Sequence, residues 1–355
     1  MASPIDGTAL LEKAGSALAS PTPKAKRVLV TGGGGFIGSH VVDRLVTEGF
    51  KVGVLDNFVT GDRTNLSRHT ANAVTIHETD IVDADAVEKV LRGYDMVVHN
   101  AALVSVTRSV EDPILVNGVN VSGTVNLLRA AVRSRVERFV YASSSSVYGD
   151  TETLPKDESM PTRPTSPYGV SKLSAESYCS AFAKVYGLRT VSLRYFNVFG
   201  PRQKAGLYSG VIPIFIRRVL DGKHPIIYGD GSQTRDFTFV SDVVEANLLA
   251  LSNDNVLGGE VYNIAGGRTT SVNELASKVT LLLGRPDLVP EHVGARKGDI
   301  LASYADVSRA GRELGYRPRT SLSDGLKETI EWVMNSETAA PGEKALATSL
   351  GRPRP

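Results

Sequence analysis

The chain has 355 residues, enough for one large or two modest domains with a real core. Its 40 lysines and arginines against 38 aspartates and glutamates leave a formal charge of +2, which gives no electrostatic case for a nucleic-acid or membrane-surface partner. The single cysteine, Cys179, excludes an internal disulfide and fits a reducing, cytoplasmic setting, and no apolar run reaches the length of a membrane span.

Residues 1–26 mix small residues with Asp6, Glu12 and Lys13 and lack the continuous apolar stretch of a signal peptide. Pro21 and Pro23 separate them from the rest of the chain, so a mobile N-terminal extension is expected. At Arg27 the pattern changes. Val28, Leu29 and Val30 read as a buried strand, four glycines run from Gly32 to Gly35, and Phe36, Ile37 and Gly38 come next. Ile37, Val41, Leu45 and Val46 then recur at helical spacing until Gly49, and Lys51–Leu55 reads as a second strand ending in Asp56.

Strand, glycine turn, helix, strand and acid make one βαβ unit of the dinucleotide-binding kind. Glycine permits a tight turn and lets backbone N–H groups approach a pyrophosphate, and the helix N-terminus adds a partial positive charge. A carboxylate at Asp56 suits the adenosine ribose hydroxyls and repels a 2′-phosphate, so NAD is expected over NADP. Two spacings fit: Gly33, Gly35 and Gly38 match G-x-G-x-x-G, while Gly32, Gly35 and Gly38 match G-x-x-G-x-x-G. A glycine run alone is also what an ordinary turn looks like. The flanking strand, helix and acid carry the assignment.

Further along, Asn57–Ser67 is polar and reads as a loop with one helical turn, Ala73–Glu78 as a strand, Ala84–Leu91 as a helix and Met96–His99 as a strand. Pro113–Val132 predicts one long helix, and Phe139–Ala142 a strand ending in a run of four serines. Alternating strands and helices of this length predict a parallel, doubly wound sheet, with ligands at the carboxyl ends of its strands. Tyr168–Tyr186 is expected to be a helix with Tyr168, Lys172, Ala175 and Cys179 along one face, and Thr190–Arg194 a strand. Beyond it come a loop at Asn197–Ser209, a helix at Val211–Leu220, a strand at Ile226–Tyr228 and a turn at Gly229–Arg235. A buried strand at Val261–Ile264 is next, then a helix at Ser271–Leu283 capped by Ser271 with Glu274, and a last helix at Leu322–Met334. The expected division is a cofactor domain over 27–196, to which segments near 236–265 return, a mainly substrate domain over 197–336, and a disordered tail over 337–355.

Tyr168 and Lys172 stand one helical turn apart, on one face. An ammonium beside a phenol stabilises the phenolate, which predicts that Tyr168 serves as a base near neutral pH. Ser144, at a strand end, can hydrogen-bond the same substrate oxygen. A Tyr/Lys pair on a helix is by itself commonly a surface contact, and a serine run a flexible loop. Downstream of a dinucleotide motif the three together point to hydride chemistry at a C–OH group. The six histidines show no ligand spacing and one cysteine makes no cluster, so no metal site is expected.

Thr31–Gly38, the Tyr168/Lys172 pair and the Ser143–Gly149 segment resemble the extended short-chain dehydrogenase/reductases, over about Lys26 to Val333. The His99–Ala102, Arg194–Gly200, Gly229–Gly231, Arg235–Phe237 and Gly298-Asp299 segments are similar to the nucleotide-sugar epimerases of that family, closest to UDP-GlcNAc/UDP-glucose 4-epimerases. The resemblance implies an α/β fold: a Rossmann-type doubly wound parallel sheet with a smaller C-terminal α/β substrate domain. It implies retained NAD held by Gly32, Gly35, Phe36, Ile37, Gly38, Asp56 and Asn57, with Gly33 and Gly34 as fillers of the turn. Asp80 and Ile81 would flank the adenine, and Ala101, Asn120 and Tyr195 would line the nicotinamide side with Tyr168 and Lys172. Ser144, Tyr168 and Lys172 would be catalytic. Ser105, Ser144, Ser145, Asn197, Gly210, Val211, Arg235, Arg296, Asp299 and Ser303 would meet the UDP-sugar. A homodimer through the 113–132 and 168–186 helices is implied as well.

Relatives that eliminate water or decarboxylate carry an acid just before the Val-Tyr-Gly of the serine segment. Here those positions are Ser145 and Ser146, which argues for C4 epimerisation through a 4-keto sugar. Cys179 is misplaced for the Cys/His chemistry of 3,5-epimerases. Ser303, where a bulky residue would restrict the pocket, together with Ala102–Asp112 and Tyr208–Val211, favours UDP-GlcNAc/UDP-GalNAc, with UDP-glucose/UDP-galactose as a second pair. Val104, where N-acetyl-type relatives often have glycine, is a departure expected to narrow the pocket, and it weakens that preference. UDP-glucuronate 4-epimerases share the serine segment but match Tyr195–Gln203 less well. A sensor that binds NAD without turnover is the other class, and such proteins typically lose the Tyr/Lys pair or the serine, all of which this chain keeps.

Overall fold

The inner strands of this chain carry buried Val, Leu and Ile, the signature of strands covered on both faces, while Val74–Glu78, with Ile76 exposed, lies at an edge. The computed structural model describes residues 25–204, 210–255, 258–295 and 301–338, in which seven strands make the central sheet. They are β1 (Arg27–Thr31), β2 (Lys51–Asp56), β3 (Val74–Glu78), β4 (Met96–His99), β5 (Arg138–Ser144), β6 (Thr190–Tyr195) and β7 (Glu260–Ile264). They form one parallel sheet in the order β3-β2-β1-β4-β5-β6-β7. The order reverses between β1 and β4, where Thr31 pairs with His99, so the crevice expected of a doubly wound sheet opens there. The expected fold class is the one observed.

Alternation along β1 sorts the two cores. Val28 and Val30 pack under the Phe36–Thr47 and Val240–Ser252 helices, with Val41, Leu45, Val243 and Ala246. Leu29 points to the other face, beneath Ala84–Leu91, Thr124–Arg133 and Pro167–Tyr186, with Val87, Leu127, Ala175 and Cys179. A third core, around Phe199, Ile212, Phe215, Leu275 and Leu326, joins the Val211–Leu220, Val272–Leu282 and Leu322–Thr338 helices. Ser271 caps its helix as expected, accepting from Glu274 N at 3.1 Å.

Among the departures from the sequence expectation, three shape the fold around the site. The long helix at 113–132 is instead α-helix over Pro113–Asn117, a π-turn over Gly118–Gly123 and α-helix over Thr124–Arg133. There Thr124 Oγ1 donates to the Asn120 carbonyl at 2.6 Å, competing for the acceptor a regular helix would use. Val240–Ser252 forms a helix where none was predicted. It is buried on most sides, so no amphipathic stripe marks it. The turn at 229–235 ends early, because Thr234–Asp236 pairs with both Thr269–Ser271 and Ala302–Ser303. The expected extension before residue 25, the tail past 338, and Tyr208, Ser209, Arg296 and Asp299 lie outside the described residues.

Candidate active site

The turn after β1 is built for glycine. Gly32 has φ +68°, and a Cβ on it would stand 2.7 Å from the Ala101 nitrogen. A Cβ on Gly38 would come within 2.1 Å of the Gly32 carbonyl oxygen, so the helix can start this close to the turn only without one. Gly33 and Gly34 are not fillers: added Cβ atoms would meet Val54 Cγ1 at 2.8 Å and Phe58 Cε1 at 2.7 Å. The N-cap, Gly35, supplies no side-chain acceptor, which leaves the first-turn N–H groups of the Phe36–Thr47 helix for a ligand.

Asp56, at the end of β2, is fastened to the same turn. Its Oδ2 accepts from Gly34 N at 2.9 Å and its Oδ1 from Phe58 N at 2.8 Å. Asp80 accepts from Asn57 Nδ2 at 2.9 Å and from Val82 N at 3.0 Å. Both carboxylates are thereby held in place at the rim of one cavity of about 750 Å³, a size typical of ligand sites.

That cavity gathers most of the predicted residues. Gly32, Gly35, Phe36, Ile37 and Gly38 line it from the turn, Asp56, Asn57, Asp80 and Ile81 from β2 and the end of β3, and Ala101 from beyond β4. Ser144, Ser145, Tyr168, Lys172, Tyr195 and Asn197 complete the far wall. Asn120 stands behind the wall. It is buried, with Oδ1 accepting from Leu103 N at 2.8 Å and Nδ2 donating to Ser171 Oγ at 3.0 Å, and so fixes the Leu103 backbone that lines the cavity. Ser105 is spent as a helix cap, accepting from Arg108 N at 3.0 Å. Gly210 and Val211 begin their helix outside this wall. Arg235 and Ser303 are also apart from it, but they pair in register on adjacent strands, and Ser303 is buried.

Sequence reasoning passed over Arg108 and Gln203, which line the cavity, and left Asn100 without a role. Asn100 is telling, since both its amide oxygen and nitrogen are buried without a hydrogen bond. Its place beside Ala101 in the His99–Ala102 segment was the available signal. Buried polar groups are seldom left bare, so Asn100 fits a site that takes a polar ligand. With the open N–H groups and the fixed Asp56, these residues fit a dinucleotide.

Ser166 caps the Pro167–Tyr186 helix, accepting from Gly169 N at 3.1 Å, and Pro167 starts it. That sets Tyr168 and Lys172 facing β5. Tyr168 and Ser144 share the cavity wall, and the Ser144 Oγ accepts from Ser146 N at 3.2 Å. Lys172 Nζ donates to the Ala142 carbonyl at 2.7 Å and lies 5.0 Å from the centre of the Tyr141 ring. Burial pushes the Tyr168 phenol up to about 12, and the Ser144 hydroxyl beside it offsets only part of this. Burial also pushes Lys172 down to about 8. The expectation that Lys172 makes Tyr168 a base near neutral pH is therefore not met by these side chains alone: loss of water on burial dominates.

Beneath the site, Arg194 Nη2 donates to Glu176 Oε1 at 2.6 Å, and Ser143 Oγ donates to Glu176 Oε2 at 2.7 Å, all three buried. His99 is held between Thr31 Oγ1 at 2.7 Å and Thr124 Oγ1 at 2.8 Å, and burial lowers it to about 3, so it stays neutral.

The model of the NAD dependent epimerase/dehydratase family matches residues 28–265, most of the chain. The chain belongs to this family. A putative UDP-glucose 4-epimerase of Methanocaldococcus jannaschii is 40% identical over 312 residues, covering 87% of this chain and 99% of that protein. The UDP-glucose 4-epimerase of Thermotoga maritima, solved with UDP-glucose, has a TM-score of 0.83 at 39% identity and covers 88% of this chain and 99% of its own. The UDP-N-acetylglucosamine 4-epimerase of Methanobrevibacter ruminantium, solved with UDP-N-acetylmuramic acid, gives the same TM-score of 0.83 and 39% identity, covering 88% and 99%. The family's cofactor, NAD, matches the site built around Gly32, Asn100 and Asp56. Among the described residues no helix is long and apolar enough to cross a membrane.

Proposed function

We propose that this enzyme interconverts UDP-hexoses at C4, with UDP-GlcNAc/UDP-GalNAc preferred and UDP-glucose/UDP-galactose as a second pair. The observation that carries the reaction is the Ser144–Tyr168–Lys172 group in the wall of the cavity that also holds the glycine turn. When bound, NAD supplies a hydride acceptor and a positively charged ring, neither of which the polypeptide provides. Tyr168, as the phenolate that the positive charges of Lys172 and the bound cofactor would stabilise, takes the proton of the sugar 4-hydroxyl and returns it, and Ser144 orients that hydroxyl and the phenol. Ser145 and Ser146 put no carboxylate against the sugar, so the proton transfers of a dehydratase lack their acid.

In this reading, residues 27–196 with the returning 236–265 segment hold NAD, and 197–336 hold the UDP-sugar through Asn197, Gly210, Val211, Arg235, Arg296, Asp299 and Ser303. The short side chain at Ser303, where a bulky one would crowd the sugar, supports a 2-N-acetyl group, and Ser303 pairs in register with Arg235. Val104 lines the cavity and supports the second reading, an enzyme restricted to UDP-glucose. A homodimer is also proposed: Ile114, Val185 and Tyr186 lie exposed on the 113–117 and 167–186 helices, at 84%, 71% and 58%.

The test is interconversion of UDP-GalNAc and of UDP-galactose by the purified protein, read by chromatography of the products. Turnover of UDP-GalNAc supports the first reading, and turnover of UDP-galactose alone the second. Turnover of neither, with NAD bound, would favour the sensor reading.

A further inference from the structure

We propose that Arg108 is a diphosphate-binding residue of this cavity, which rests on reading the cavity as the site of NAD and a nucleotide sugar. Among the described residues, four charged side chains line the cavity: Asp56, Asp80, Arg108 and Lys172. Three of them are engaged. Asp56 and Asp80 each accept two hydrogen bonds from the chain itself, and Lys172 Nζ donates to Ala142 O at 2.7 Å.

Arg108 differs. It sits half-buried on the Val106–Glu111 helix, and its guanidinium makes no hydrogen bond or ion pair among the described residues. The wall it shares includes the apolar Leu103, Val104, Val106 and Leu115. A half-buried guanidinium has given up water without gaining a partner, which is costly unless a ligand supplies one. The planar fork of arginine matches the paired oxygens of a phosphate, and a dinucleotide or a nucleotide sugar each brings a diphosphate. The glycine turn and the helix N-terminus offer N–H donors and a partial positive charge, and a guanidinium in the wall would add a full one.

The experiment measures binding, separately from turnover. ADP-ribose carries the diphosphate of the cofactor, and UDP that of the substrate. Their affinities for the wild-type protein and for Arg108→Met are measured by calorimetry at two salt concentrations. Arg108→Met keeps the apolar stem, and its unliganded melting temperature is expected to match the wild type, since no internal partner is lost. The expected result is a roughly ten- to hundredfold loss of affinity for one probe, with a flatter salt dependence, and partial recovery in Arg108→Lys. Loss for ADP-ribose places Arg108 on the cofactor diphosphate; loss for UDP places it on the substrate. Equal affinity of Arg108→Met and wild type for both probes overturns the proposal alone. Failure of the wild type to bind either probe overturns the reading of the cavity and the proposal with it.

Discussion

Lys172 donates to the carbonyl oxygen of Ala142 at 2.7 Å, two residues before Ser144 on the same strand. The bond fixes the ammonium at the strand end but does not restore the water it has lost, and burial lowers it to about 8. The charge that Lys172 lends to a phenolate is thus present below pH 8 and fades above it. The expected kcat/KM falls as pH rises through about 8. Lys172→Met is expected to be slower at every pH and to lack that limb; a limb near the same pH in the variant would assign it to another group. The stability effect has the opposite sign. The folded value lies below the unfolded one of about 10.4, so between the two the unfolded chain binds the proton better. Stability from this group therefore rises with pH across that window.

Tyr168 is protonated at neutral pH in the ligand-free protein, since burial raises its phenol to about 12. Removing the hydroxyl leaves the ring's packing against β5 in place and takes away only the proton carrier. Tyr168→Phe is expected to lower kcat by about 10²–10⁴ while leaving the melting temperature close to wild type. Full activity in Tyr168→Phe would sink the assigned mechanism. Ser144→Ala is expected to show a smaller loss, because Tyr168 can still reach the substrate directly.

The Glu176–Arg194 pair is a stability element under the catalytic helix. Both side chains are nearly closed to water, at 6% and 5% exposure, and Ser143 adds a bond to the same carboxylate. Glu176→Gln leaves the Arg194 charge buried without its counterion, an effect of about 3–5 kcal/mol. A lower denaturant midpoint is the expected reading, with part of the loss recovered in the double variant Glu176→Gln, Arg194→Met. A single variant as stable as wild type would mean that Arg194 finds another acceptor.

What was legible in the sequence is what depends on near neighbours. The glycine turn comes from dihedral freedom and close approach within a few residues, and the Tyr168/Lys172 pair from helical spacing. Strand positions come from apolar runs, and β4 is predicted to the residue. What was not legible depends on distant partners. The π-turn at Gly118–Gly123 arises where the Asn120 side chain reaches back to Leu103, 17 positions earlier. Arg108 and Gln203 look like ordinary surface residues until the fold turns them into the cavity, and Asn100 gains meaning only once both its amide atoms are found buried and bare. The sign of the Tyr168 shift was missed because adjacency to Lys172 is visible in sequence and burial is not.

Substrate size is the remaining property that two residues can move. Ser303 is 6% exposed and pairs in register with Arg235, so a larger side chain there has no solvent to escape into and must grow toward whatever lies beside that strand. If the N-acetyl group occupies that space, Ser303→Tyr removes it. The expected outcome is loss of UDP-GalNAc turnover by at least tenfold in kcat/KM, with UDP-galactose turnover retained, since excluding a bulky group by overlap costs more than the few kcal/mol that a missing contact would. Val104→Gly works in the other direction. Val104 is 64% exposed at the cavity wall, so truncating it opens space at little cost in folding and is expected to raise kcat/KM for the N-acetylated pair. Product ratios from a mixture of UDP-GalNAc and UDP-galactose, read on both variants, check the two together. A Ser303→Tyr enzyme that turns over UDP-GalNAc as before would place the N-acetyl pocket elsewhere.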